Sequence, residues 1–336
     1  GITSWQTWDE FLAAMDAYKA AYPDNAPFVV RHGWGLGYAL SVITKMTGCV
    51  GGDVWYNADG EWEYILTGSR AELYKESVEK LAYLYQNGYL RADQFTADGD
   101  TLEAVYDTGT SLFVYGYNCA DHYTVTPMPD ANMVEAAYRA GMYTYDGGFI
   151  NKNVKNPEWL CAYIDYFLSE EASYMYHYGI EGETYEVDEQ TGYIIPFPDY
   201  EDNKARQEYG MLNSILELQA FNWQKLFANH KSNDFKFEEP ELALLKGGHV
   251  NPIDSDGTIS MMSAEARETV SLNLTPIQTY VNEELFKFVE GTRSFDEWDA
   301  FVSEALSYGS VDAILEAHAS GTLVSYPDEF VWMEVK

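Results

Sequence analysis

Four helix starts, each marked by its own capping signal, punctuate this chain, and short apolar runs of strand character fill the spaces between several of them. Such alternation confines the fold to layered α/β or helix-rich α+β architectures, because each helix face and each sheet face must be covered by the other kind of element. Thr7-Trp-Asp-Glu10 is a capping box: the Thr7 hydroxyl takes an orphan backbone N–H and Glu10 reaches back to the cap. Trp8, Phe11, Leu12, Met15 and Tyr22 then mark an apolar stripe. Ser69-Arg-Ala-Glu72 repeats the signal before Leu73, Val78, Leu81 and Leu84, with Gly88 placed as the residue that ends the helix. Asn156-Pro157-Glu158 sets a cap before a proline at the first helical position and predicts a helix through Leu160, Ile164 and Phe167 to Gly179. Ser294-Phe-Asp-Glu297 opens a fourth, with Trp298, Phe301, Val302 and Leu306 on one face.

The strand candidates are PFVVRH (27–32), EWEYIL (61–66), SLFVYGY (111–117), YTVTPMP (123–129) and GGFINK (147–152). NADG (57–60) and DEQTG (188–192) are turn signals between extended runs, and the second predicts a hairpin over 183–199. From about Asn203 onward the pattern reads almost wholly helical. No repeat period and no low-complexity linker interrupts it.

Of the chain's 336 residues, 54 are Asp or Glu and 20 are Lys or Arg, a net charge of −34. That surface repels phosphates and anionic headgroups, so nucleic acid is not an expected partner. No run of about 18 uncharged apolar residues offers a membrane span, and the first residues carry no signal-peptide pattern. Three cysteines, Cys49, Cys119 and Cys161, stand apart without metal-ligand spacing and read as small buried hydrophobes. DSDGT (254–258) lacks the glycine and glutamate that complete a calcium loop, and no phosphate loop occurs, so no metal or cofactor is expected. Aromatic residues reach 16%, with 28 Tyr and 9 Trp, side chains whose flat faces and polar edges suit sugar rings as well as interfaces.

Five stretches together are similar to the extracellular solute-binding proteins of family 1, the substrate-capturing components of carbohydrate ABC importers. They are GITSWQTWDEFLAAMDAYKAAYP (1–23), SVEKLAYLYQNGYL (77–90), INKNVKNPEWLCAYIDYFLSEEASYMYHYGIEGETYEVD (150–188), YVNEELFKFVEG (280–291) and SFDEWDAFVSEALSYGSVDAILEAH (294–318). The third is the most specific. Two departures stand out: Ser4 replaces a usual proline, and the tail after Ala317 drifts from the common ending. The resemblance implies a two-lobed, periplasmic-binding-protein-like fold of type II. On it, residues 1–122 and 206–336 belong to the second lobe and 123–205 to the remainder of the first, with the hinge near Tyr123. It also implies a carbohydrate ligand, ABC permease subunits as partners, an extracellular location, and membrane contact only through an N-terminal lipid anchor outside this chain. Most of the first lobe is expected to precede Gly1, and binding by the chain without it is expected to be weak.

A sugar cleft needs aromatic faces for the CH-rich side of a ring and polar groups for its hydroxyls, carried on loops that follow strands. RHGWGLGY (31–38) supplies Trp34 as platform and Arg31 or His32 as polar partner, unless Trp34 packs inward. GGDVWYNADG (51–60) offers Trp55 and Asp53, or is simply a hairpin edge. VYGYNCADHY (114–123) offers Tyr117, Asn118 and Asp121, MYTYDGGFI (142–150) offers Tyr145 and Asp146, and Trp223 lies on a helix as platform or core. The alternative function is a glycoside hydrolase with paired carboxylates, but among 54 acidic residues some pair always lies close. A third reading is a surface interaction module that uses exposed tyrosines.

Overall fold

The computed structural model describes residues 5–31, 35–49, 52–57, 59–115, 123, 129, 153–167, 169, 171–172, 175, 178–187, 194–200 and 259–324. The chain divides into two compact units, Gly1–Ala136 with Pro240–Tyr326 and Ala137–Glu239 with Pro327–Lys336.

In the first unit, α1 (Trp8–Ala21) begins at the expected capping box: Thr7 Oγ1 accepts the Glu10 N–H at 3.2 Å and Glu10 Oε2 accepts the Thr7 N–H at 3.3 Å. Its buried face is Phe11, Ala14 and Met15, while Tyr22, expected on that stripe, is exposed. Next come β1 (Phe28–Val30), α2 (Gly35–Thr47) and a hairpin of β2 (Val54–Tyr56) and β3 (Trp62–Tyr64). The hairpin closes at the predicted turn, where the Asn57 N–H donates to the Glu61 carbonyl at 2.8 Å. Then follow α3 (Ala71–Gln86), α4 (Gly99–Thr108) and β4 (Phe113–Tyr115). β4 lies parallel to β1 in the register Phe28↔Phe113, Val29↔Val114, Val30↔Tyr115. Leu90 bridges Phe28 on the other side of β1, and the buried Gln94 side chain continues that edge, accepting from the Val30 N–H and donating to its carbonyl.

After residue 258 the same unit adds β7 (Ile259–Met261), α6 (Ala264–Glu290), α7 (Trp298–Leu306), α8 (Val311–Ala319) and β8 (Thr322–Val324). Ile277, Val281, Leu285 and Phe288 repeat at helical spacing along the buried side of α6, which packs on α3 and α8. One core joins these elements. Trp5, Phe11, Phe28 and Phe113 form its aromatic centre near α1 and the parallel pair, with edge-to-face contacts of 5.1 Å from Phe11 to Trp5 and 5.4 Å to Phe113. Phe288, Phe295, Trp298 and Phe301 form another around the end of α6.

In the second unit, α5 (Pro157–Phe167) opens at the expected proline. The hairpin of β5 (Tyr185–Val187) and β6 (Ile194–Pro196) pairs as the DEQTG turn signal predicts. The buried Thr184 ties the preceding elbow: its hydroxyl accepts the Ile180 N–H at 2.8 Å.

Several expectations are corrected. The Ser69 hydroxyl donates to Glu63 at 2.8 Å instead of capping α3, whose N-cap is Arg70 without a side-chain bond. α5 stops at Phe167, because a bend at Ser169 intervenes and the Ser169 hydroxyl accepts the Ala172 N–H. Ser294 caps a 3₁₀ turn, Phe295–Glu297, and α7 begins only at Trp298. The glycine-loosened stretch after β1 becomes helix from Gly35. The paired strands β7 and β8 interrupt a stretch expected to be almost wholly helical. Cys49 is buried as expected, but Cys161 is exposed on α5. YTVTPMP apart from Tyr123 and Pro129, GGFINK, the DSDGT stretch and Cys119 lie outside the described residues.

Candidate functional site

Because β1 and β4 run parallel and in register, their carboxyl ends leave the sheet on the same side. In open α/β sheets this edge is where ligands sit, since the loops that follow the strands converge there. Arg31 is the first residue beyond β1, and its N–H extends the ladder to the Tyr115 carbonyl at 2.9 Å.

The Arg31 guanidinium is gripped from α4. Nε and Nη2 both donate to the Glu103 carboxylate, and the Tyr106 ring lies 4.2 Å from its central carbon. Tyr106 stacks on Tyr123 at 5.7 Å and 9° between planes, and the Tyr123 hydroxyl donates to the Ser111 carbonyl. Nη1 is enclosed and, among the described residues, has no hydrogen-bond partner. Burial alone would lower the Arg31 pKa; the bonds and charge of Glu103 reverse this and hold the guanidinium more firmly protonated.

At the end of β4, the Lys45 ammonium on α2 donates to the Tyr115 hydroxyl at 2.5 Å, and Tyr38 meets the Tyr115 ring edge-on at 6.1 Å. The ends of β1 and β4 therefore carry two sets of groups: Arg31 with Glu103 and Tyr106 of α4, and Tyr115 with Lys45 and Tyr38 of α2. Tyr106 is buried against Arg31 and Tyr123, whereas Tyr38, Lys45 and Tyr115 are part-exposed, and phenols and an ammonium can meet a sugar ring and its hydroxyls. Among the described residues no cluster of His, Cys, Asp and Glu could hold a metal ion, and no helix is long and apolar enough to cross a membrane.

Trp55 is used differently. It is buried in the β2–β3 hairpin with Arg70 3.6 Å from its ring centre, so that face is covered from inside the unit. Asp53 accepts a hydrogen bond from Gln278 of α6, which fastens the hairpin to that helix. Of the sequence-derived site residues, the structure thus places Arg31 at the strand ends and Trp55 in the packed interior. Trp34, Tyr117, Asn118, Asp121, Tyr145, Asp146 and Trp223 lie outside the described residues, as does His32.

Sequence reasoning missed Tyr38, Lys45, Glu103, Tyr106 and Tyr115. One signal was available: Glu103 and Tyr106 stand three residues apart, so on a helix they share a face and can hold one guanidinium between carboxylate and ring.

No protein-family model matches the chain, and no curated protein matches it. Solved structures do. The alginate-binding protein AlgQ2, in its form without calcium ion, aligns with a TM-score of 0.70 at 16% identity over 95% of this chain and 68% of its own. The S. pneumoniae ABC-transporter substrate-binding protein FusA, in complex with kestose, gives 0.67 at 18% identity over 95% and 68%. An HMO-binding solute-binding protein associated with an ABC transporter of Bifidobacterium longum infantis gives 0.61 at 16% identity over 95% and 70%. The chain has the two-lobed, periplasmic-binding-protein-like α/β fold of these ABC-transporter solute-binding proteins. By their names these neighbours are binding proteins.

Proposed function

We propose that this protein is the substrate-binding component of an ABC importer. It captures an oligosaccharide or a related polar solute by closure of two lobes and delivers it to the permease subunits in the membrane. The observation that carries this reading is the pair of parallel, in-register strands β1 and β4, whose shared carboxyl ends carry Arg31 with Tyr106 and, separately, Tyr115 with Lys45. It supplies rings and donors where this fold class presents ligands, and structures of the same fold include one in complex with kestose.

On this reading the unit containing β1–β4 is the second lobe and the hairpin of β5 and β6 belongs to the first. Trp34, Tyr117, Asn118, Asp121, Tyr145, Asp146 and Trp223 would complete the wall around the sugar. A ligand that touches both lobes favours their closed arrangement by its extra contacts there. The protein works outside the cell, held to the membrane by an N-terminal lipid anchor.

Calorimetry against a panel of glycans tests the proposal. Reversible binding of at least one oligosaccharide, with no new reducing ends after prolonged incubation, is the expected result. Reducing ends appearing at a catalytic rate would establish a hydrolase instead, and binding of peptides with silence toward all sugars would overturn the ligand class.

A further inference from the structure

The chain passes between its two units three times: out of the first after Ala136, back at Pro240, and out again after Tyr326. Two of these passages adjoin β7 and β8. β7 is the first described element after the return, and β8 ends at Val324, just before the last exit. In the antiparallel register Ile259, the first residue of β7, faces Val324, the last of β8. Both connections therefore leave the first unit from the same end of one strand pair.

The other end of the pair is fastened. β7 runs into α6 through Met262, whose carbonyl accepts Arg267 Nη1 at 3.0 Å, and Ser263, which caps the helix. β8 follows α8 after only Ser320 and Gly321. The His318 carbonyl, near the end of α8, accepts the Gly321 N–H at 3.2 Å and the Ser260 hydroxyl at 2.6 Å, so a side chain of β7 completes that helix end. The His318 ring packs on Trp62 of β3 at 4.7 Å, and α8 packs on α6. At Gly321 an added Cβ would lie 2.0 Å from Ser260 Oγ and 3.1 Å from the Met261 carbonyl carbon, so only glycine lets the turn approach β7 this closely. Two three-residue strands hold little by themselves. What holds these is the helix pair they join.

We propose that the β7–β8 pair is the fixed edge of the hinge between the units: it keeps two connections side by side, so that they bend together beyond Ile259 and Val324. Ser260 and Gly321 are then positioning residues, which act on the motion through the strand pair and not through the ligand. The part this motion plays in capture rests on the function proposed above; the coupling itself does not.

The test measures the distance between the units in the full chain by pulsed electron spin resonance. No sugar is present, so the result does not depend on whether sugars bind. One spin label sits on the exposed Cys161 of α5 and the other on Glu79→Cys at an exposed position of α3, with Cys119→Ser to prevent a third label; Cys49 is buried. Gly321→Ala drives the strands apart and widens the distance distribution about twofold, and Ser260→Ala, which removes only the bond to His318, widens it less. Thr7→Ala weakens the same unit at the start of α1 and leaves the width unchanged. Circular dichroism confirms that each variant is folded; should Gly321→Ala fail to fold, Ser260→Ala set against Thr7→Ala decides. An unchanged width in the deciding variant, or equal widening in Thr7→Ala, overturns the inference and leaves sugar binding standing. Failure of every glycan to bind in the calorimetry above overturns that reading and leaves the coupling standing.

Discussion

Gln86, the last residue of α3, donates through Nε2 to the Phe288 carbonyl at 3.2 Å, and it shares the same group with the Val289 carbonyl at 3.1 Å. These carbonyls belong to the last turn of α6, where four C=O groups have no partner within the helix. One amide side chain thus joins the Gly291, Thr292 and Arg293 N–H groups in finishing a helix that lies about 200 residues away in sequence, and it fixes α3 against that helix. Replacing Gln86 by Leu removes both bonds and leaves the part-buried Val289 carbonyl without that donor, while the Phe288 carbonyl keeps the Gly291 N–H at 3.2 Å. The expected loss is about 1–2 kcal/mol of unfolding free energy, read from urea denaturation followed by circular dichroism. An unchanged midpoint would mean that water serves these carbonyls as well as Gln86 does.

Two glycines should respond to alanine with opposite signs. At Gly309 an added Cβ would lie 2.1 Å from the Asn273 carbonyl oxygen, a backbone atom of α6, so one of the two elements must move. The same turn is fastened by the Ser310 N–H donating to Asn273 Oδ1 at 2.9 Å. Gly309→Ala is expected to cost about 2–4 kcal/mol, at the upper end for a single substitution. Gly37 sits inside α2, and a Cβ there meets nothing within 4 Å. Gly37→Ala is expected to stabilise by about 0.5–1 kcal/mol, because alanine loses less backbone freedom on entering a helix. Thermal unfolding of both variants beside the wild-type protein checks the pair.

Elements whose defining interactions are local were legible in the sequence. Thr7 and Glu10 cap each other three residues apart, and the 57–60 turn closes between its own strands. What was hidden depends on distant residues. β7 and β8 are three-residue strands from far-separated parts of the chain, too short for alternation to show. The glycines around Trp34 read as a loop, yet Ala39, Leu40, Val42 and Ile43 bury enough apolar surface to hold α2 together. At the site, Arg31 was visible as a polar residue leaving a strand. Its partner Glu103, 72 residues away, was not, because nothing local says which carboxylate a guanidinium will meet.

Acid should weaken the protein through Glu284. Its carboxyl is held below the usual carboxylate range by the bond from Lys287 and then by Arg293, against the opposing effect of burial. Arg293 donates to Glu284 at 2.7 Å and to Glu304 at 3.1 Å, tying α6 to α7. A depressed carboxyl contributes stability that is fully present above its unfolded pKa, about 4.3. That contribution fades as pH falls through the lower folded value. Glu284→Gln is therefore expected to cost about 1–2 kcal/mol at pH 7. The gap from the wild-type protein should close as pH is lowered from 6 to 3 in urea titrations. A gap that stays constant across that range would assign the loss to packing.

Two of the Ser/Thr-x-x-Glu signatures, those at Thr7 and Ser69, give the sharpest contrast, because one sequence pattern has two structural outcomes. At α1 the Thr7 hydroxyl accepts the Glu10 N–H, and the Glu10 carboxylate takes the Gln6 and Thr7 N–H groups in return. At α3 Glu63 intervenes: one of its oxygens accepts both the Ser69 N–H and the Ser69 hydroxyl, and the other accepts the Asn57 amide. That carboxylate gathers three donors, and Ser69 therefore anchors the end of the β2–β3 hairpin instead of starting a helix. Thr7→Ala should cost about 1 kcal/mol, the usual worth of a cap. Ser69→Ala removes one of the donors that hold Glu63 and leaves the start of α3 as it is. Hydrogen exchange separates the two: Thr7→Ala should speed exchange in the first turn of α1, whereas Ser69→Ala should speed it at Ser69 and leave the first turn of α3 protected. Faster exchange at the start of α3 in Ser69→Ala would restore the capping role that the sequence alone suggests.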